Sequence, residues 1–140
     1  MKRVFFAFIL LLLVSAAGAR LAYRVPEEKK ATVLVRAERL DSAVLDAIDV
    51  KTVEASLDGS FVLATPSKRT PSRLFLISEG MPVYFDSRLS EDLIMTLDAV
   101  VTERNGVLYL GETLLSPMKR CVLSSSEFYL EVQIISVKVG

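Results

Sequence analysis

Histidine and tryptophan are missing from the 140 residues, and cysteine occurs once, at Cys121. Without histidine the side chain that most often serves as general base and as neutral metal ligand near pH 7 is gone. A single thiol cannot close an intramolecular disulfide, build a thiolate zinc cluster or join a Cys-His nucleophile. Set between Arg120 and Val122, it suits an inward strand position, where it packs as a small hydrophobe. Excess charge is missing too: 17 basic residues balance 17 acidic ones, with a pI of about 6.3. Such a chain has no long-range positive field, so nucleic acid is not expected as a partner. The 6 glycines are scattered and form no phosphate-cradling loop. Ser124, Ser125 and Ser126 lack both a Gly-x-Ser-x-Gly elbow and a base, and read as a loop. Asp86, Glu91 and Asp92 are the nearest approach to an acid–base cluster. With Ser87, Arg88 and Ser90 between them, they read as a solvated turn. The chain is therefore expected to work by binding rather than catalysis, with no catalytic residue, no cofactor and no metal site.

What is present begins with an apolar start. Lys2 and Arg3 precede an unbroken apolar run from Val4 to Val14, and small residues follow over Ser15–Ala19. This is the layout of a signal sequence, with Ala17-Gly18-Ala19 offering a cleavage site after Ala19. If Arg20 snorkels, the apolar stretch extends through Tyr23 to the ~20 residues that span a bilayer. Both readings, cleaved peptide and retained anchor, leave the N-terminus in the cytoplasm and export the rest. Cleavage removes Lys2 and Arg3, leaving 15 basic residues against 17 acidic, a net charge of −2. Three segments are expected: a signal peptide or signal anchor over 1–23, a polar tether over 24–31 and a β-rich domain over 32–140.

That domain reads as strands and turns with one short helix. Thr32–Arg36 is apolar and β-branched, Val50–Glu54 alternates, and Phe61–Leu63 and Leu74–Ile77 are further strands. Asp41 and Ser42 offer caps for a turn or two of helix running to Asp49. Thr65–Ser72, with prolines at 66 and 71, reads as an exposed loop carrying Lys68 and Arg69. Glu79-Gly80-Met81-Pro82 turns the chain into Val83–Phe85. Asn105-Gly106 between Leu93–Val101 and Val107–Leu110 is the clearest hairpin signal. Phe128–Ile135 and Val137–Val139 close the chain as a long alternating strand.

Two of these stretches share a plan. Val33–Glu54, with Val44-Leu45 and Asp49-Val50, resembles the first unit of a SAF (β-clip) domain, and Ser72–Ile77 with Gly80 and Pro82 resembles its second. The Asn105-Gly106 hairpin, Gly111–Leu115 and Arg120–Leu123 are similar to the strands that follow this domain in CpaB/RcpC-type Flp (Tad) pilus assembly proteins. The first unit carries Leu40-Asp41-Ser42-Ala43 where the family has a glycine turn, so the chain resembles a shortened or divergent member. The resemblance implies a small β-clip barrel or clip of short strands, preceded by a hydrophobic N-terminal helix. It also implies a periplasmic, inner-membrane-tethered assembly component with secretin or inner-membrane pilus subunits as partners. A cleaved periplasmic or secreted module that holds an envelope sugar or peptide in a β-clip groove is the alternative. Two features could carry recognition. One is Lys68 and Arg69 in the proline-flanked segment; the other is the terminal strand with Phe128 and Tyr129, as an edge open to another sheet or as part of the domain's own sheet.

Overall fold

The computed structural model describes residues 4, 7–11 and 27–140. Cleavage or anchoring over 1–23 lies outside the described residues, except that residues 4 and 7–11 are helical and exposed. Among the described residues, no helix is long and apolar enough to cross a membrane.

From Glu27 onward the chain is mainly β. The strands are β1 (Glu27–Asp41), β2 (Val53–Leu57), β3 (Ser60–Ser78), β4 (Met81–Arg104), β5 (Val107–Leu110), β6 (Thr113–Leu114), β7 (Arg120–Ser124) and β8 (Tyr129–Val139). They run side by side in the order β1-β8-β7-β2-β3-β4-β5-β6, and β1 also pairs with β4. That extra pairing closes six strands into an antiparallel barrel, with β5 and β6 appended to β4. Closure removes the open edges that a small sheet would otherwise expose.

Strict period-two patterning specifies which side faces in. Along β1, Ala31, Val33, Val35 and Ala37 are buried, and along β4 so are Leu93, Met95, Leu97, Ala99 and Val101. β2, β3, β7 and β8 add Leu57, Val62, Leu123, Val132 and Ile134, all essentially inaccessible. A six-stranded lumen is narrower than the eight-stranded barrel that side chains just fill. Alanines at 31, 37, 55, 64 and 99 accordingly share the interior with the larger residues.

Three hairpins turn at Asp58-Gly59, Glu79-Gly80 and Asn105-Gly106, with positive φ at both central residues (47° and 88°, 52° and 77°, 53° and 77°). Type I′ turns demand this, and their twist matches that of the flanking strands. One helical turn, α1 (Ser42–Asp46), links β1 to β2. Asp41 caps it by accepting from the Ala43 N–H at 2.8 Å, and Leu45 plugs the barrel end. The helix stops at Asp46, short of the expected Asp49.

Several expectations are corrected. Glu27–Lys30, expected within the tether, forms the start of β1 and pairs with Glu103–Val100; Lys29 bonds Glu103 across the strands. Val50–Thr52 lies outside β2, which starts at Val53. Strands expected to be short are long: β3 has 19 residues and β4 has 24. Thr65–Ser72 is no loop but the middle of β3, and Pro66 is buried. Both prolines are tolerated because the register shifts beside each of them, between Pro66 and Lys68 and between Pro71 and Arg73. Proline cannot donate to a ladder, and a bulge removes the need. Of the two readings of the terminal strand, the one in which it completes the domain's own sheet holds, since β8 pairs with β1 on one side and β7 on the other.

The thinnest seam lies between β2 and β7, which pair only at Ser56–Ser124 and Leu57–Leu123. Asp58 extends it by one step. Its N–H donates to the Val122 carbonyl at 2.9 Å, and its carboxylate accepts the Val122 N–H at 2.8 Å. Asp58→Ala is expected to destabilise the domain by about 1–3 kcal/mol by leaving that N–H without a partner, measured by denaturant titration. Asp58→Asn, which keeps an acceptor oxygen, should recover most of the loss.

Candidate functional site

β3 and β4 do not stop at the barrel rim. Pro71 pairs with Glu91 and Arg73 with Asp86, so four residues of β4 (87–90) bulge opposite Ser72. Ser87 Oγ accepts from the Leu89 and Ser90 N–H groups at 3.2 and 3.1 Å and shapes this kink. Beyond it, Arg73–Ser78 and Met81–Asp86 form a two-stranded arm with Glu79-Gly80 at its tip. Six residues of strand make an arm ~20 Å long.

The arm is apolar on both faces. Phe75 lies opposite Tyr84 and Ile77 opposite Pro82 on one face; Leu74 opposite Phe85, Leu76 opposite Val83 and Ser78 opposite Met81 make the other. Neither face is covered: Phe75 is 60% exposed, Ile77 71%, Met81 69% and Tyr84 58%. Isolated two-stranded ribbons are marginal in water, and exposed apolar patches on folded chains are concentrated where a protein, ligand or membrane is met. The first face has the composition of an interface hot spot. Arg73 stacks on Tyr84 at 4.8 Å from its ring centroid, and Phe75 packs on the same ring at 6.1 Å between centroids.

The arm's root is fixed by the carboxylates that read as a solvated turn. Asp86, Glu91 and Asp92 all belong to β4, and two of them brace neighbouring elements. Asp92 accepts from the buried Ser72 hydroxyl at 2.8 Å and from the Arg39 N–H at 3.0 Å, joining the bulges of β3 and β1. Glu91 and Asp46 both accept from Arg69, which ties the root to α1. Those two bonds, Glu91's first, raise the pKa of Arg69.

The residues expected to contact partners fall into two places. Lys68 and Arg69 line an apolar groove of about 200 Å³ on one side of α1, with Leu45, Ile48, Val50 and Leu93. Phe128 and Tyr129 line a shallower one of about 490 Å³ on the other side, where Ile48 again contributes. Phe128 is buried in the core, whereas Tyr129 is 75% exposed. Arg69 is occupied within the chain, while Lys68 is exposed. Gly80 and Pro82 sit at the tip of the arm, apart from these four. Ser124 ends β7, and Ser125 Oγ accepts from Glu127 and Phe128 N–H groups in the following turn. Among the described residues no group of histidine, cysteine or carboxylate side chains is placed to hold a metal ion.

Cys121 does face inward, 3% exposed. Burial pushes its thiol from 9.0 up to about 11, and the Asp58 carboxylate adds to the shift. An acid whose folded pKa is raised holds its proton while the unfolded chain has released its own. Stability is therefore expected to fall as pH rises from 9 toward 11. At pH 8, iodoacetamide should alkylate Cys121 on the order of 100-fold more slowly in the native chain than in urea. A native rate equal to the denatured one would contradict this placement.

No family model matches the chain, and neither do curated proteins or solved structures.

Proposed function

We propose that this chain is an exported assembly component of the cell envelope, tethered by its N-terminal segment, that acts by binding other proteins through the arm. The arm carries the reading, being a rigidly rooted ribbon with apolar side chains on both faces. Its direction supports the tether. Glu27 pairs with Glu103 and Asp41 with Ser90, so β1 begins at the barrel end opposite the arm. With residues 1–23 in the inner membrane, the arm points away from the bilayer into the periplasm.

The finer assignment to a SAF-type β-clip protein of a Flp/Tad pilus or secretion machine belongs to the same proposal. The mainly β architecture, the short capped helix after the first strand and the Gly80 turn before Pro82 support it. The natural partners are then a secretin or inner-membrane pilus subunits, and no reaction is ascribed to the chain. Affinity capture of full-length protein from solubilised membranes tests this. Recovery of those subunits with the native chain, lost when Phe75 and Tyr84 are both replaced by serine, supports the proposal. Equal recovery from both chains, or from neither, overturns it.

A further inference from the structure

The arm leaves the barrel with two strand edges of its own. β2 accompanies β3 only over Ser60–Ala64, and β1 accompanies β4 only as far as Ser90, so neither covers the arm. In an antiparallel ribbon alternate pairs exchange main-chain bonds, and the pairs between them turn their N–H and C=O groups outward. With Ser78 and Met81 closing the two-residue turn, the next bonded pairs are Leu76–Val83 and Leu74–Phe85. Arg73, Phe75 and Ile77 therefore present three N–H and three C=O groups along the outer edge of β3. Among the described residues no main-chain bond from outside the ribbon reaches them. The β4 edge is blunted, because Pro82 has no N–H to offer and Asp86 sets a carboxylate at its root. The β3 edge is also one-sided in charge. From Thr65 to Ser78 it carries Lys68, Arg69 and Arg73 and no carboxylate. Arg69 is neutralised by Asp46 and Glu91, but Lys68 and Arg73 make no ion pair among the described residues. Asp86 stands opposite Arg73, whose guanidinium lies instead over the Tyr84 ring.

We infer that the β3 edge takes an extended segment of a partner protein as an added strand, apolar along Phe75 and Ile77 and acidic where it reaches Arg73 and Lys68. The inference rests on the reading of the arm as the binding element and names how it binds and what chemistry it meets. Main-chain bonds at Arg73, Phe75 and Ile77 supply affinity that is indifferent to sequence. The exposed side chains of Phe75 and Ile77 select apolar neighbours on their own face. Carboxylates beside the two unpaired cations set the direction, with the acidic end at the root and the apolar end at the tip. Every pairing in this sheet is antiparallel, the more stable ladder, and β3 runs from root to tip. In the partner's sequence the acidic residues therefore follow the apolar ones. A second copy of the edge would bring cations to Lys68 and Arg73 in place of carboxylates.

The test uses a fluorescent peptide of about ten residues, alternating valine and threonine and ending in two aspartates. It is titrated against the full-length chain in detergent and followed by anisotropy, and saturable binding is expected. Ile77→Pro deletes one outward N–H and leaves the arm's own ladder intact, whereas Ile77→Ala trims the side chain and keeps the N–H. The proline variant should bind about tenfold more weakly than the alanine variant. Arg73→Glu should weaken the aspartate peptide about tenfold and favour the same peptide ending in two lysines. No saturable binding, equal affinity of the two Ile77 variants, or indifference to the charge reversal overturns the inference. Self-association of the native chain that the peptide fails to displace also overturns it, by assigning the edge to a second copy. In each of those cases, partner capture that still depends on Phe75 and Tyr84 leaves the proposed function standing.

Discussion

Leu57→Ala is expected to cost the domain about 2–5 kcal/mol, the range for deleting a fully buried leucine and leaving a cavity. Leu57 is completely buried and stands opposite Leu123, itself completely buried, at one of the two positions that join β2 to β7. Elsewhere around the barrel closure is redundant; β1 and β4, for instance, pair almost continuously from Glu27–Glu103 to Asp41–Ser90. At the β2–β7 seam the backbone contributes little, so side-chain packing across it holds the ring shut. Domains of this size have only ~5–15 kcal/mol in total, so the variant should lose a large part of its margin. Chemical denaturation of the full-length chain in detergent, followed by far-ultraviolet circular dichroism, measures this. Val100→Ala, at a 54% exposed outward position, should move within ±0.5 kcal/mol. A loss below 1 kcal/mol at Leu57 would show that packing at the seam is not what closes the barrel.

The second large effect is on binding and leaves folding almost untouched. Replacing both Phe75 and Ile77 by aspartate puts two charges on the aromatic face of the arm, where those side chains are 60% and 71% exposed. Little buried area is lost, so the midpoint of denaturation should shift by no more than an ordinary surface change does. Capture of envelope partners should fall on the order of 100-fold, because apolar anchors of this kind carry most of an interface's energy. Partner capture that persists alongside unchanged stability would place recognition elsewhere, with the grooves beside α1 next to be tested. An aspartate at Met118, 74% exposed and away from the arm, should do neither.

How far the sequence disclosed this arrangement depended on whether local chemistry or distant partners decided the outcome. Alternation in β8 was readable because that strand presents one face to the lumen, and the middle of β1 was readable as a strand from its β-branched residues. Asn105-Gly106 and Asp41 were readable because a type I′ turn and a helix cap need particular side chains at particular positions. Cys121 was readable from its alternating neighbours. Thr65–Ser72 misled because two prolines in eight residues ordinarily end a strand, and only the partner strand's register reveals the bulges that accommodate them. The roles of Glu91 and Asp92 were hidden for a similar reason. Their partners Arg69, Ser72 and Arg39 come from β3 and β1, brought alongside by pairings that no spacing announces. The arm itself was legible as strand, turn, strand. Its exposure was not, because a ribbon with apolar side chains on both faces has the sequence of a fully buried one.

The arm's placement relative to Glu27 sets how the protein would bear tension. A pull applied at the tip and resisted at residue 27 draws β4 and β1 lengthwise past each other. Their cross-strand bonds then share the load together instead of opening one rung at a time. From Glu91 to Arg104 β4 spans about 45 Å, and it runs from the root of the arm to the far rim without a break. Under such traction the chain behaves as a stiff strut, and rupture would be governed by the rate at which that single shared interface lets go.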